Sequence, residues 1–290
     1  MRGGLLLACL AAPLAAQSPV NAGMAVAPAA AIRVVAPAGA LRITAWERDS
    51  VQVRGRVDPA MGRFFLTGTR EAVKLGIEAP DKKPPEGSAD LEILIPAQAR
   101  LWVQAPDADV ELTPGGGSVA VLSASGRVRV AGRAGDISVE SLDGNIELTG
   151  QGRDARLRTA SGTIVARGVL RELHAASVSG PLLVGMEGPV ERVDLESVSG
   201  EIAFKGDLTR DGALRAETHG GDIELRLPPD LAATFNLTAY GGGLVNDLVA
   251  PELVQPGARK GEWKFTTGPG GASVTVRTFK GKVVLRAKGR

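Results

Sequence analysis

The sequence predicts an all-β protein: a parallel β-solenoid of about ten coils, each 18–21 residues long, with a β cap at its N-terminal end. Three observations predict it. A short Ser-x-Ser-Gly phrase recurs at nearly even spacing. The residues after it alternate apolar and polar. The residue three before its glycine is always small.

The phrase reads Ser-Ala-Ser-Gly at 123–126, Ser-Leu-Asp-Gly at 141–144 and Thr-Ala-Ser-Gly at 159–162. Ser-Val-Ser-Gly follows at 177–180 and again at 197–200. With the closing glycine as anchor, the frame runs through Gly126, Gly144, Gly162, Gly180, Gly200, Gly221, Gly242, Gly261 and Gly281. The steps are 18, 18, 18, 20, 21, 21, 19 and 20. Ala108 fits one step earlier without a glycine, and Gly39 marks an earlier, separate copy.

Two residues past the anchor stand Leu41, Val110, Val128, Ile146, Ile164, Leu182, Ile202, Ile223, Leu244, Trp263 and Val283, all apolar. The position four past it is apolar except at Asn246. The position one past it is mostly polar, as in Asp109, Arg127, Asn145, Thr163, Glu201, Asp222 and Lys282. This period of two marks a strand with one buried face. A second strand precedes the anchor, shown by the pairs Val119/Val121, Ile137/Val139, Val193/Leu195, Phe235/Leu237 and Val274/Val276. Three before the anchor only Ala, Ser or Thr occurs. Such a column points inward at a tight corner, where hydroxyls can bond one another or the backbone. The glycine then supplies positive φ or close backbone approach.

A single unit cannot bury its apolar side, whereas stacked units bury it continuously, with strands about 4.8 Å apart. A β-sandwich of regular hairpins also has evenly spaced strands, but hairpins would reverse the direction of alternate copies. A left-handed hexapeptide helix shares the 18-residue coil, but the sequence lacks a six-residue sub-period and contains longer steps.

The expected organisation follows. Residues 1–16 form a secretory signal, with Arg2, the apolar stretch Leu5–Leu14 and small residues at Ala15 and Ala16. Residues 17–31 are an Ala/Pro-rich flexible lead-in, 32–105 the N-terminal cap and first coil, and 106–290 the solenoid repeats. Within the cap, residues 45–100 leave the frame around a charged loop, Asp81–Gly87. No apolar run reaches the roughly 20 residues of a membrane span.

Composition narrows the function. Lys+Arg number 34 and Asp+Glu 32, a formal net charge of +2, which argues against a nucleic-acid partner. Only 3 Trp, 1 Tyr and 6 Phe are present, so the core is aliphatic. Cys9 is the one cysteine. Leu6-Leu7-Ala8-Cys9 has the outline of a lipoprotein site, but too few apolar residues precede it. Cleavage after Ala16 would leave a chain without disulfides or thiolate chemistry.

The repeated Ser-x-Ser-Gly phrases, the segment Gly220-Gly221-Asp222-Ile223-Glu224-Leu225-Arg226-Leu227-Pro228 and the closing Thr278-x-x-Gly281-x-Val283-x-Leu285 carry a resemblance. The chain resembles, over roughly 32–290, a bacterial exported β-strand-repeat family of unknown function, related to the head-GIN candidate-adhesin domains. The resemblance implies export to the periplasm or cell surface, a right-handed parallel β-helix and an adhesive or envelope role. It supplies no catalytic residues.

The chemistry-bearing residues are sparse. His174 and His219 both sit at outward positions and form no zinc cluster. There is no Gly-x-Ser-x-Gly elbow, and Gly115-Gly116-Gly117 is a turn. Asp109, Glu111, Glu147, Glu201, Asp222 and Glu224 project from the post-anchor strand, and stacking brings Glu201 near Asp222, with Glu224 one coil on. Paired carboxylates can bind calcium or do acid/base work, which makes Glu201, Asp222 and Glu224 the outer-face candidates. Arg127, Arg129, Thr163 and Lys282 share their columns, so the face reads as mixed in charge. Trp46, Trp102, Tyr240 and Phe279 are too scattered to form a sugar platform. The reading is therefore a non-enzymatic envelope or surface solenoid without cofactor or metal, partnered by an envelope protein or a polysaccharide. The alternatives are a carbohydrate-active β-helix enzyme or polysaccharide-binding protein, and a self-assembling filament.

Overall fold

A computed structural model describes residues 17–78 and 86–289. The expected signal (1–16) and most of the Asp81–Gly87 loop lie outside the described residues. The 22 strands among the described residues join one hydrogen-bonded sheet, and most pairings are parallel.

The regular part shows how sequence becomes coil. It contains β8 (Arg100–Ala105), β9 (Asp107–Thr113) and β10 (Val119–Ser123). It continues through β11 (Val128–Glu140), β12 (Ile146–Thr159), β13 (Ile164–Ser177), β14 (Leu182–Ser197), β15 (Ile202–Thr218) and β16 (Ile223–Leu227). Strands approaching each Ser-x-Ser-Gly corner pair with one another and form the approach face. Strands leaving it form the exit face. In β11 to β15 the exit segment of one coil continues without a break into the approach segment of the next. Gly132, Gly150 and Gly168 stack where the strands bend, with φ of 144°, 146° and 124°. The Cβ of a larger residue at Gly150 or Gly168 would lie 1.9 Å from the carbonyl oxygen of the glycine beneath. The longer coils after Gly180 place their additional residues as register shifts at this bend, between Gly168 and Glu172 and between Gly185 and Arg192.

Register confirms the apolar columns. Val110, Val128, Ile146, Ile164, Leu182, Ile202 and Ile223 are consecutive rung partners, and all are buried. One aliphatic core runs the length of the stack, with Phe204 and Phe235 among its largest members.

Both ends depart from sequence order. The N-terminal end holds β1 (Ser18–Ala25), β2 (Ala31–Val35), β3 (Ala38–Trp46) and β4 (Ser50–Val57), then β5 (Arg63–Gly68), β6 (Ala72–Glu78) and β7 (Ala89–Pro96). The β2–β3 coil lies between β6–β7 on one side and β8–β9 on the other. Antiparallel β4 and β1 cover β7, and antiparallel β5 covers β6. Residues 18–25, expected as flexible lead-in, are therefore strand, because β4 offers a full edge for them to pair with.

The C-terminal end holds β17 (Ala233–Ala239), β18 (Leu244–Asp247), β19 (Gln255–Pro256), β20 (Glu262–Thr266), β21 (Ala272–Thr278) and β22 (Val283–Ala287). Here the last coil in sequence is not last in space. β21 pairs with β15 and β17, and β22 with β16 and β18. Gly261 is not a corner of the stack. It precedes β20, which runs antiparallel on β17 and closes the approach face. Trp263 and Phe265 imitate the apolar columns because one side of β20 also packs on the core, with Phe265 stacked on Phe235 at 4.5 Å. Asn246, the exception in its column, lies on the outermost exit strand. Its amide donates to the Val249 carbonyl and accepts from the Leu248 amide.

Candidate functional site

Where the small column carries Ser or Thr, one hydroxyl holds the corner. Thr218 Oγ1 donates to the Gly200 carbonyl of the previous rung (3.3 Å) and accepts from the Gly221 amide (3.1 Å). Thr159 and Thr278 make the equivalent pair of bonds. Ser141, Ser177 and Ser197 likewise accept from Gly144, Gly180 and Gly200. The hydroxyls thus bond the backbone and not one another. The anchor glycines serve close approach: a Cβ at Gly126, Gly144, Gly162, Gly180, Gly200, Gly221 or Gly281 would sit 1.9–2.1 Å from a carbonyl oxygen of the rung below. At Gly242 it would meet Gly281 at 2.4 Å.

Because the column three before the glycine points inward, its neighbours on either side point out. The outward position two before the glycine makes a ridge along the corner. Val178 follows Ala160, Val198 follows Val178 and His219 follows Val198 through backbone bonds of 3.0–3.2 Å. Leu142, Val178, Val198 and Phe279 are more than half exposed.

At the C-terminal end the ridge becomes aromatic. Insertion of β21 between β15 and β17 puts Phe279 between His219 and Tyr240. Phe279 stacks on His219 (5.0 Å, 9°) and meets Tyr240 at 5.9 Å with planes 60° apart. Two of the four aromatics that look scattered in sequence are therefore neighbours. Trp46 and Trp102 are not: Trp46 donates to the Ser50 carbonyl, and Trp102 lies under Arg33 at 4.1 Å. His219 was readable as outward, but its partners were not, because Phe279 is 60 residues away. Beside the rings opens a groove of about 550 Å³, lined by Glu196, Glu217, Arg259, Glu262 and Arg277. Glu217 accepts from Arg215 (2.7 Å) and faces Arg277 (3.4 Å). The Arg215 guanidinium is held above its usual range, chiefly by its bond to Glu217.

The three candidate carboxylates lie on the exit face. Glu201 and Asp222 occupy adjacent rungs, while Glu224 lies opposite Ala203 and Val284. Asp222 Oδ1 accepts from the Lys282 amide (2.9 Å), and its other oxygen faces the Lys282 ammonium (3.4 Å). Asp109 accepts from the Arg127 amide in the same way, so this column braces the next corner. Glu224 is paired with Arg226 (2.7 Å) and Arg286 (3.6 Å).

The approach face carries a ladder of ion pairs that sequence reading did not assemble. Arg153 bonds Asp136 (2.6 Å) and Asp154 (3.1 Å), and Arg171 reaches Asp154 (3.2 Å) and Glu191 (3.8 Å). Partial desolvation pushes the Asp154 carboxyl up, but the bonds from Arg153 and Arg171 outweigh it and hold the carboxyl below its ordinary value. The ladder borders an open groove of about 610 Å³ that also contains Arg156, His174 and Arg192. Among the described residues, no group of three or more His, Cys, Asp or Glu is placed to hold a metal ion.

The repeat, its hydroxyl-braced corners and its parallel register frame the comparison with known proteins. The Toastrack DUF4097 family model matches residues 48–286. The chain belongs to the Toastrack family. That family is a domain of unknown function, in line with the resemblance carried by the corner phrases. No curated protein matches this Toastrack chain. Among solved structures it is similar to a candidate adhesin of Bacteroides fragilis, at 12% identity and a TM-score of 0.45, over 93% of this chain and 98% of the other. It is also similar to a candidate adhesin of Parabacteroides distasonis (10%, TM-score 0.46, 93% and 98%). A third is a candidate cell-adhesion protein of Clostridium sporogenes (11%, TM-score 0.22, 93% and 100%). Among the described residues of this Toastrack chain, no helix is long and apolar enough to cross a membrane.

Proposed function

We propose that this chain is an exported, non-enzymatic envelope or cell-surface scaffold, a right-handed solenoid of about ten coils that attaches to its partner along the corner ridge. The observation that carries the reading is that ridge. Leu142, Val178, Val198, Phe279 and Tyr240 are 49–60% exposed on one edge of a rigid stack, where burial against a partner stabilises contact. The flanking faces support it. Their acids are largely engaged with neighbouring bases, as in Arg153 with Asp136 and Asp154, and Arg226 and Arg286 with Glu224. Groups paired in this way stiffen a surface and are not poised to exchange protons.

The test is fractionation of cells producing the chain with a C-terminal tag, together with the intact mass of the product. The expected result is a product in the periplasmic or envelope fraction, shortened by the residues before Gln17. An unshortened product in the cytosol overturns the reading.

A further inference from the structure

At its aromatic end the ridge has rings in the apolar column and an unbroken polar column beside it. The outward position four before the glycine runs Glu196, Glu217, Arg277 and Thr238 on successive rungs, and continues to Glu262 of β20. Two positions along the same strands stand Val198, His219, Phe279 and Tyr240. The buried Ser/Thr column between them bonds the backbone, so its rigidity fixes the separation of the two outer columns. The groove is therefore a straight track several rungs long, with hydrogen-bonding groups on one side and rings on the other. Glu217 bonds Arg215 and faces Arg277, and Arg277 and Arg259 bring N–H donors to the groove. Tyr240 and Phe279 meet at 60°, so two ring faces of different orientation lie side by side along the track.

A ligand that fits must be extended, and hydroxylated on its edges yet apolar on its ring faces. A strand of pyranose sugars has this character. The lining contains Glu196, Glu217 and Glu262 against Arg259 and Arg277, so nothing in the balance attracts a polyanion. We infer that the track formed by His219, Phe279 and Tyr240 beside Glu217 and Arg277 binds a neutral, β-linked polysaccharide strand lying along the solenoid axis. The inference names the partner of the proposed ridge, and so rests on that reading. It is tested on purified protein, independently of where the cell places the chain.

Tyr240 is the chain's one tyrosine, so protein labelled at tyrosine gives a single ring signal by NMR. The full chain is titrated with cellohexaose, with chitohexaose and with polygalacturonate. A saturable shift with a neutral hexasaccharide is expected, with affinity falling at least tenfold in Phe279→Ala and unchanged in Leu183→Ala, an exposed residue of the exit face outside the ridge. Phe279 is 53% exposed, so its loss leaves the fold intact, and Phe279→Leu separates bulk from aromatic character. No shift with either neutral sugar at millimolar concentration overturns the inference. So does equal binding by Phe279→Ala, or binding of polygalacturonate alone. Sugar binding by a chain that stays in the cytosol would overturn the envelope reading and leave the track standing.

Discussion

Replacing Gly162 by alanine distinguishes two reasons for a corner glycine. Gly162 is absent from the positive-φ glycines, so if only backbone freedom mattered, alanine would gain about 0.4–1 kcal/mol by restricting the unfolded chain. The structure gives the opposite sign. The new Cβ would lie 2.1 Å from the Gly144 carbonyl oxygen and 2.6 Å from its carbon, where ordinary contact begins at 3.4 Å. Both are backbone atoms, so relief requires the rungs to part. Parting strains the bonds from Ala160 N and Ser161 N to the Leu142 carbonyl (2.8 and 3.0 Å) and the Thr159 hydroxyl bond to the same carbonyl (3.1 Å). Losing two or three bonds of roughly 1 kcal/mol each, less the unfolded-state gain, leaves a net cost of about 1–2.5 kcal/mol. Thermal denaturation should then show a midpoint lowered by about 2–10 °C, at the few degrees per kcal/mol expected of a chain this size. Hydrogen exchange should localise the loosening to the rungs around β12 and β13. Gly243→Ala is the control. Its φ is +82° with nothing within 4 Å of the added carbon, so it costs only the left-handed conformation, about 1–2 kcal/mol. A Gly162→Ala protein as stable as the parent, or more so, would refute the close-approach argument.

Three further outcomes follow from the same geometry. Thr278→Val keeps shape but leaves the buried Gly281 amide without its acceptor, costing about 1–3 kcal/mol by denaturant titration, whereas Thr278→Ser stays near the parent. Ending the chain after Gly271 removes β21 and β22 from between β15–β16 and β17–β18. Exchange protection should then be lost from β17 to β20 while β10 to β13 keep theirs, and an equal loss everywhere would contradict the wedge. The Asp154 carboxyl sits below its ordinary value in the folded chain, so its contribution is present above the unfolded-state value and is lost as pH falls through the lower folded one. In Arg153→Met a carboxyl-detected NMR titration should show Asp154 moving upward toward 3.8, with little change in stability because the pair is exposed.

Much of this architecture is local and therefore legible in the residues. At the framed corners the hydroxyl that accepts the glycine amide is only three positions away, so the phrase itself carries the turn. Alternation after the glycine marks which side is buried, and Ile146 or Ile202 needs no distant partner to be recognised as core. Equal spacing then implies parallel stacking, and Glu201 beside Asp222 follows from register alone. Rung order is another matter. Nothing near residues 272–287 says that they slide between 213–227 and 233–247, because that choice depends on which free edges remain after the rest has stacked. Gly261 carries a corner's glycine and apolar followers but precedes an antiparallel strand, since one side of β20 meets the same core from the opposite direction. Residues 18–25 have a loose composition and are still ordered by the edge of β4. The aromatic track belongs to this second class. The sequence by itself determined the coil, its corner and its buried faces, because these are set by contacts within a few residues. Only tertiary structure decided that His219, Phe279 and Tyr240 meet, because their neighbourhood is created by one late coil entering between two earlier ones.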